Sequence, residues 1–165
     1  MTIFTYFFLL NFFRDILILS QVLLIFYLAL REIKKNLKQG FFFLLRFFLI
    51  FILVFFIVGF LKDKFPEVRP LTYLGFSLEE KNSFPSRHTA LSFALTFLLL
   101  YYDFKFFLFS LAISLLISVL SIVSLAHWPQ DVIFGFLIGF LLALIFQEGL
   151  NFFHRLNAHK FKPKT

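Results

Sequence analysis

The chain holds 165 residues, 61% of them hydrophobic and 22% aromatic, with 31 Phe, one Trp and no Cys, and its mean hydropathy is +0.92. Soluble domains are about 45–50% apolar, so a soluble globule is excluded, and the lack of Cys excludes disulfides, thiolate metal sites, a cysteine nucleophile and lipidation through cysteine. The net charge of +7 does not point to nucleic acid, because the cations bunch between apolar segments instead of lining an amphipathic or aromatic-interleaved face. In chain order, Thr2 to Phe13 lacks the cationic start and cleavage site of a secretory signal and is too short to span a bilayer. It is expected to be an interfacial helix or an extension of the span that follows. That first span, Ile16 to Leu30, becomes long enough if it reaches back through Arg14 and Asp15, which can pair with each other or sit at the interface. Phe41 to Leu61, Ser86 to Tyr102, Phe104 to Ala126 and Pro129 to Leu150 each approach or meet the requirement of about 20 apolar residues. The expected fold is all-α, a polytopic membrane helical bundle of about five transmembrane helices, forming one domain over residues 1–165.

Lys and Arg near span ends set the orientation. Arg31, Lys34, Lys35 and Lys38, then Lys105, then Arg155, Lys160, Lys162 and Lys164 in the tail mark the cytoplasmic side. On the opposite side Lys62, Lys64, Arg69, Lys81 and Arg87 alternate with Asp63, Glu67, Glu79, Glu80 and Asp131, so the loop from Lys62 to Pro85 is expected outside, with the N-terminus outside and the C-terminus inside. Gly135, Gly139 and Ala143, and likewise Ser110, Ser114 and Ser118, recur every four residues and offer small-residue stripes for close helix approach. Trp128 reads as an interfacial aromatic anchor, Ser83 as a candidate cap, Asp103 and Lys105 as marks of a tight turn, Glu79, Glu80 and Lys81 as a solvated loop, and His154 and His159 as interfacial tail residues.

Ionisable groups beside membrane spans are costly and usually functional. Three clusters stand at the outer ends of spans: Lys62 to Pro70, Phe84 to Ala90, and His127 to Asp131. Lys62, Arg69 and Arg87 supply fixed positive charge, and arginine can fork onto phosphate oxygens. Pro85 before Ser86 suggests a helix N-terminus, whose free N–H groups attract anions. His127 and Asp131 stand four residues apart, close enough for the carboxylate to hold one ring nitrogen and leave the other as a nucleophile, with His88 as proton donor. This is a set for attack on an anion by positioning and charge stabilisation, in which no metal is obligatory.

The three clusters resemble the type 2 phosphatidic acid phosphatase superfamily, whose pattern is KxxxxxxRP, PSGH and SRxxxxxHxxxD. Lys62 to Pro70 matches the first element in full; Pro85-Ser86-Arg87-His88 has Arg in place of Gly; and His127 and Asp131 keep the third element's spacing, while Leu120-Ser121 replaces its Ser-Arg pair. The resemblance covers the core from residue 62 to 131. It implies a metal-independent phosphatase without a cofactor that works through a phosphohistidine, with His127 as nucleophile, Asp131 as its orienting partner and His88 as the acid. Lys62, Arg69, Ser86 and Arg87 would bind the phosphate, and Arg87 would supply the charge lost where the family's arginine is replaced by Ser121. The implied partners are the membrane and a membrane phospholipid, lipid A or polyprenyl pyrophosphate substrate, and the implied place is the inner membrane with the site facing the periplasm or the cell exterior. Compact bacterial members act on lipid A 1-phosphate, phosphatidylglycerol phosphate or undecaprenyl pyrophosphate, and the first is preferred here. The alternative is a degenerate relative that binds an anionic lipid without turning it over.

Overall fold

The structure is a computed structural model, described here for residues 3–76 and 82–160. The loop residues Glu79, Glu80 and Lys81 and the tail residues Lys162 and Lys164 lie outside the described residues. Six helices follow one another: α1 (Ile3–Lys35), α2 (Leu37–Lys64), the single-turn α3 (Pro70–Tyr73), α4 (Arg87–Leu99), α5 (Phe104–Val123) and α6 (Pro129–Lys160). The fold is the expected all-α polytopic bundle. Four helices, α1, α2, α5 and α6, are long and apolar enough to cross a membrane.

Two expectations change in detail. The N-terminal stretch is not a separate interfacial helix but the first turns of α1, which runs unbroken for 33 residues. The third expected span is shorter than Ser86 to Tyr102: α4 has 13 residues, a rise of about 20 Å against a hydrocarbon core of about 30 Å. It can be short because it sits inside the bundle, where ten of its residues from Thr89 to Leu99 are buried. The chain before it, with Ser83, Pro85 and Ser86 buried, is irregular backbone sunk among helices. Such backbone is tolerated at membrane depth only when protein surrounds it.

The helices around α4 bring one face each to the core. Along α2, Phe43, Phe47, Ile50, Val54 and Val58 recur at helical spacing and are buried, while Phe48 and Phe56 point outward. Outward phenylalanines and leucines on α1, α2, α5 and α6 form an apolar jacket suited to lipid. The glycine stripe of α6 lies against α4: a Cβ on Gly135 would stand 2.6 Å from the carbonyl oxygen of Ser86, and one on Gly139 would collide with the carbonyl of Ala90. The serine stripe of α5 meets a buried glutamine. The Nε2 of Gln21 on α1 donates to Ser110 Oγ at 3.0 Å, the Ser110 carbonyl at 3.1 Å and Ser114 Oγ at 3.0 Å, while Ser92 on α4 donates to Gln21 Oε1 at 2.7 Å. Away from water such groups must be satisfied internally. This network therefore fixes the register of α1 against α4 and α5.

Turns are set by local side chains. Asn36 caps α2, its side chain accepting from the backbone N–H groups of Lys38 and Gln39. Asp103 caps α5 by accepting from Lys105 N at 3.0 Å and lies 3.6 Å from Arg31, so the expected tight turn also ties α1 to α5.

Candidate active site

The three ionisable clusters converge at one end of the bundle. Lys62 comes from the last turn of α2, Arg69 from the residue that precedes Pro70 at the start of α3, Arg87 and His88 from the first turn of α4, and His127 from the turn between α5 and α6. Together with Asn82 they surround a cavity of about 610 Å³, whose apolar part is contributed by Ile18, Phe51, Phe55 and Leu91. Long-range topology has assembled residues that chain order kept apart.

Local structure explains how each is held. Asn82 adopts a left-handed backbone conformation, φ 97°, one that asparagine tolerates better than most residues. The turn is clamped because the N–H groups of Asn82 and Ser83 both donate to the Glu67 carbonyl at 2.8 Å. Lys62, itself buried, then donates from Nζ to the carbonyls of Asn82 at 2.6 Å and Ser83 at 3.2 Å. At the far side Leu125, φ 53°, reverses the chain after α5 so that the His127 N–H donates to the Ser121 carbonyl at 3.0 Å. Pro129 opens α6, and the Asp131 carboxylate reaches back to accept from the Trp128 N–H at 2.9 Å, the reciprocal half of a capping arrangement.

His127 is held differently from the expected carboxylate contact. Its Nδ1 donates to the Ser83 carbonyl oxygen at 2.8 Å, whereas the nearest Asp131 oxygen lies 3.6 Å away. Asp131 Oδ2 instead accepts from the hydroxyl of Ser83. Because a carbonyl oxygen can only accept, Nδ1 carries the proton and Nε2 keeps a free lone pair. Burial pushes the His127 pKa below the ordinary histidine value; Asp131 opposes that shift, and Arg69 and Lys62 add to it. The ring is therefore neutral at neutral pH.

Ser86 is not at the cavity. It is fully buried; its hydroxyl caps α4 by accepting from the Thr89 N–H at 3.4 Å, and its N–H donates to the Asp131 carbonyl at 3.0 Å. Its contribution is to the N-terminus of α4, whose first backbone N–H groups and positive dipole end suit an anion. Nor is Ser83 a helix cap, since both its oxygens serve His127, Lys62 and Asp131. Arg87 lines the cavity with its guanidinium 4.6 Å from the ring centre of Phe55. Trp128 anchors the rim, donating from Nε1 to the Val68 carbonyl at 2.9 Å. His88 Nε2 lies 3.7 Å from Asp15 of α1, a partner that the sequence alone did not suggest, because 73 residues separate them.

The family profile of the PAP2 superfamily matches residues 43–153, from within α2 almost to the end of α6. The chain belongs to the PAP2 superfamily. Among solved structures it is similar to LpxE of Aquifex aeolicus, with a TM-score of 0.66 and 23% sequence identity over 85% of this chain and 86% of the other. A comparison with curated proteins finds no match. Membership in this superfamily, with four helices of membrane-crossing length, makes the chain an integral-membrane lipid phosphatase.

Proposed function

We propose that this PAP2 member hydrolyses a phosphomonoester or pyrophosphate on a lipid headgroup through a phosphohistidine, at the outer face of the cytoplasmic membrane. The observation that carries the reading is the Ser83 carbonyl on His127 Nδ1, which leaves Nε2 as the nucleophile facing a cavity lined by cations. Nε2 attacks phosphorus, the bond to the lipid oxygen breaks, and His88 gives that oxygen its proton. Water then attacks the phosphohistidine with His88 taking the proton back, and orthophosphate leaves with His127 restored. Lys62, Arg69 and Arg87 gather the phosphoryl oxygens; Arg87 adds charge from the second motif where position 121 has none. Asp131 and Ser86 position the machinery, Asp131 through Ser83 and Ser86 through the start of α4. These cations perform the neutralisation that a metal performs in other phosphoryl-transfer sites.

The preferred substrate is a lipid A 1-phosphate, with phosphatidylglycerol phosphate and undecaprenyl pyrophosphate next. Its acyl chains would lie between helices while the phosphate reaches the cavity. The outward orientation rests on Arg31, Lys34, Lys35, Lys38 and Lys105 at the opposite end of the bundle from His127.

The test is phosphate release by purified protein in detergent with EDTA, across the three lipids, beside His127→Ala. Release that survives chelation and vanishes in the variant is expected. Release that stops with EDTA, or continues in His127→Ala, overturns the mechanism, and no release from any lipid favours the binding relative.

A further inference from the structure

Position 121, which carries an arginine in the family pattern, is here a fully buried serine whose hydroxyl donates to the Ile117 carbonyl of its own helix at 2.8 Å. α5 therefore offers no guanidinium at that position, while α1 carries a buried one, that of Arg14. Gln21 fixes the register of α1 against Ser110 and Ser114 of the antiparallel α5 and against Ser92 and Thr96 of the parallel α4. Seven residues is about 10 Å of helix and returns to within about 20° of the same face. Moving that distance toward the site leads from Gln21 to Arg14 on α1, from Ser114 to Ser121 on α5, and from Thr96 to Thr89 on α4. Arg14 thus stands at the level of Ser121 and of the second motif.

Direct contacts agree with this register. Arg14 is buried and donates from Nε and Nη2 to Asp15 Oδ1 at 3.2 and 3.1 Å, and the same oxygen lies 3.7 Å from His88 Nε2. One turn further along α1, Ile18 lines the cavity. We infer that Arg14, delivered by α1, supplies the guanidinium charge that this chain lacks at position 121, so that α1 is part of the phosphate site. The inference rests on the phosphatase reading above. It adds a second guanidinium to the charge that Arg87 brings from α4, where Arg87 lies over Phe55 of α2.

The experiment compares wild type, Arg14→Gln, and Arg14→Gln with Ser121→Arg, reading lipid phosphate release and the rise in melting temperature produced by vanadate. Vanadate copies the transferring phosphoryl group, so its affinity reports transition-state charge without requiring turnover. Losing one such donor costs about a hundredfold or more in kcat. Arg14→Gln is expected to lose about that much, to lose most of its vanadate stabilisation while melting normally without vanadate, and to regain both when Ser121→Arg is added. Wild-type turnover in Arg14→Gln overturns the inference. So does a fall in activity with vanadate stabilisation intact, or one that Ser121→Arg leaves unrepaired, because either makes Arg14 a purely structural residue. If Arg14→Gln does not fold, Arg14→Lys keeps the charge and loses the fork: weakened vanadate stabilisation supports the inference and unchanged stabilisation overturns it. Wild-type protein that releases no phosphate from any lipid refutes the proposed function, and the vanadate measurement still decides the role of Arg14.

Discussion

A carbonyl oxygen has no proton to give, and that constraint settles the tautomer of His127 more firmly than the carboxylate does. The spacing of His127 and Asp131 suggested a direct pair; Ser83 instead stands between them, with its carbonyl on the ring and its hydroxyl on the acid. Leaving a buried polar group without its partner costs about 1–3 kcal/mol. Ser83→Ala should therefore lower kcat by about ten- to a hundredfold with little change in KM, measured as lipid phosphate release. The lowered pKa of His127 has a signed consequence. The free base persists below the usual histidine range of about 6.5, so the acid limb of kcat/KM, measured as lipid phosphate release, should lie below that value. Arg87→Ala should cost at least about tenfold, because a charge-assisted contact to phosphate is lost; turnover equal to wild type would remove Arg87 from the site. Ser83 and Asn82 were not legible as site residues, since their carbonyls are backbone groups that any residue type carries and the partner of the Ser83 hydroxyl, Asp131, lies far along the chain.

The elements were more legible than their ends. Apolar length identified α2 and α5 to within a few residues and the start of α6, which runs past Leu150 to Lys160, and the small-residue stripes identified the faces along which helices meet. α4 came out short because hydropathy cannot tell a helix wrapped by protein from one wrapped by lipid. The same burial that shortens α4 makes it sensitive to its neighbour. A methyl group on Gly139 would press on the backbone of Ala90 and Ala94, and overpacking of this kind costs about 1–3 kcal/mol. Gly139→Ala should lower the melting temperature in detergent and depress activity as well, because the shifted helix carries His88. An unchanged melting point would show that α4 and α6 can separate freely.

At the scale of the molecule, the clusters on different spans met at one end because alternate crossings of the bundle return to the same side, which charge placement along the chain was enough to reveal. What the chain alone could not reveal was the part played by α1, since its contacts with α4 and α5 depend on register against helices far away in sequence. The absence of Cys makes orientation directly measurable: an impermeant maleimide applied to intact cells should label Asp63→Cys and leave Lys105→Cys unlabelled, both positions being exposed. The reverse pattern would turn the cavity toward the cytoplasm.

The hydrogen bonds of Gln21 also govern how the protein answers to the thickness of its membrane. α1 is about 50 Å long for its 33 residues, well beyond a hydrocarbon core of about 30 Å, and a helix with such excess ordinarily adapts by tilting or shifting. Pinned to Ser92, Ser110 and Ser114, α1 cannot slide past its neighbours, so the bundle has to respond as one rigid plug. The distance a headgroup must descend to reach His127 is then set by the surrounding lipid. In vesicles of graded acyl length, the rate of phosphate release is expected to change with the thickness of the bilayer.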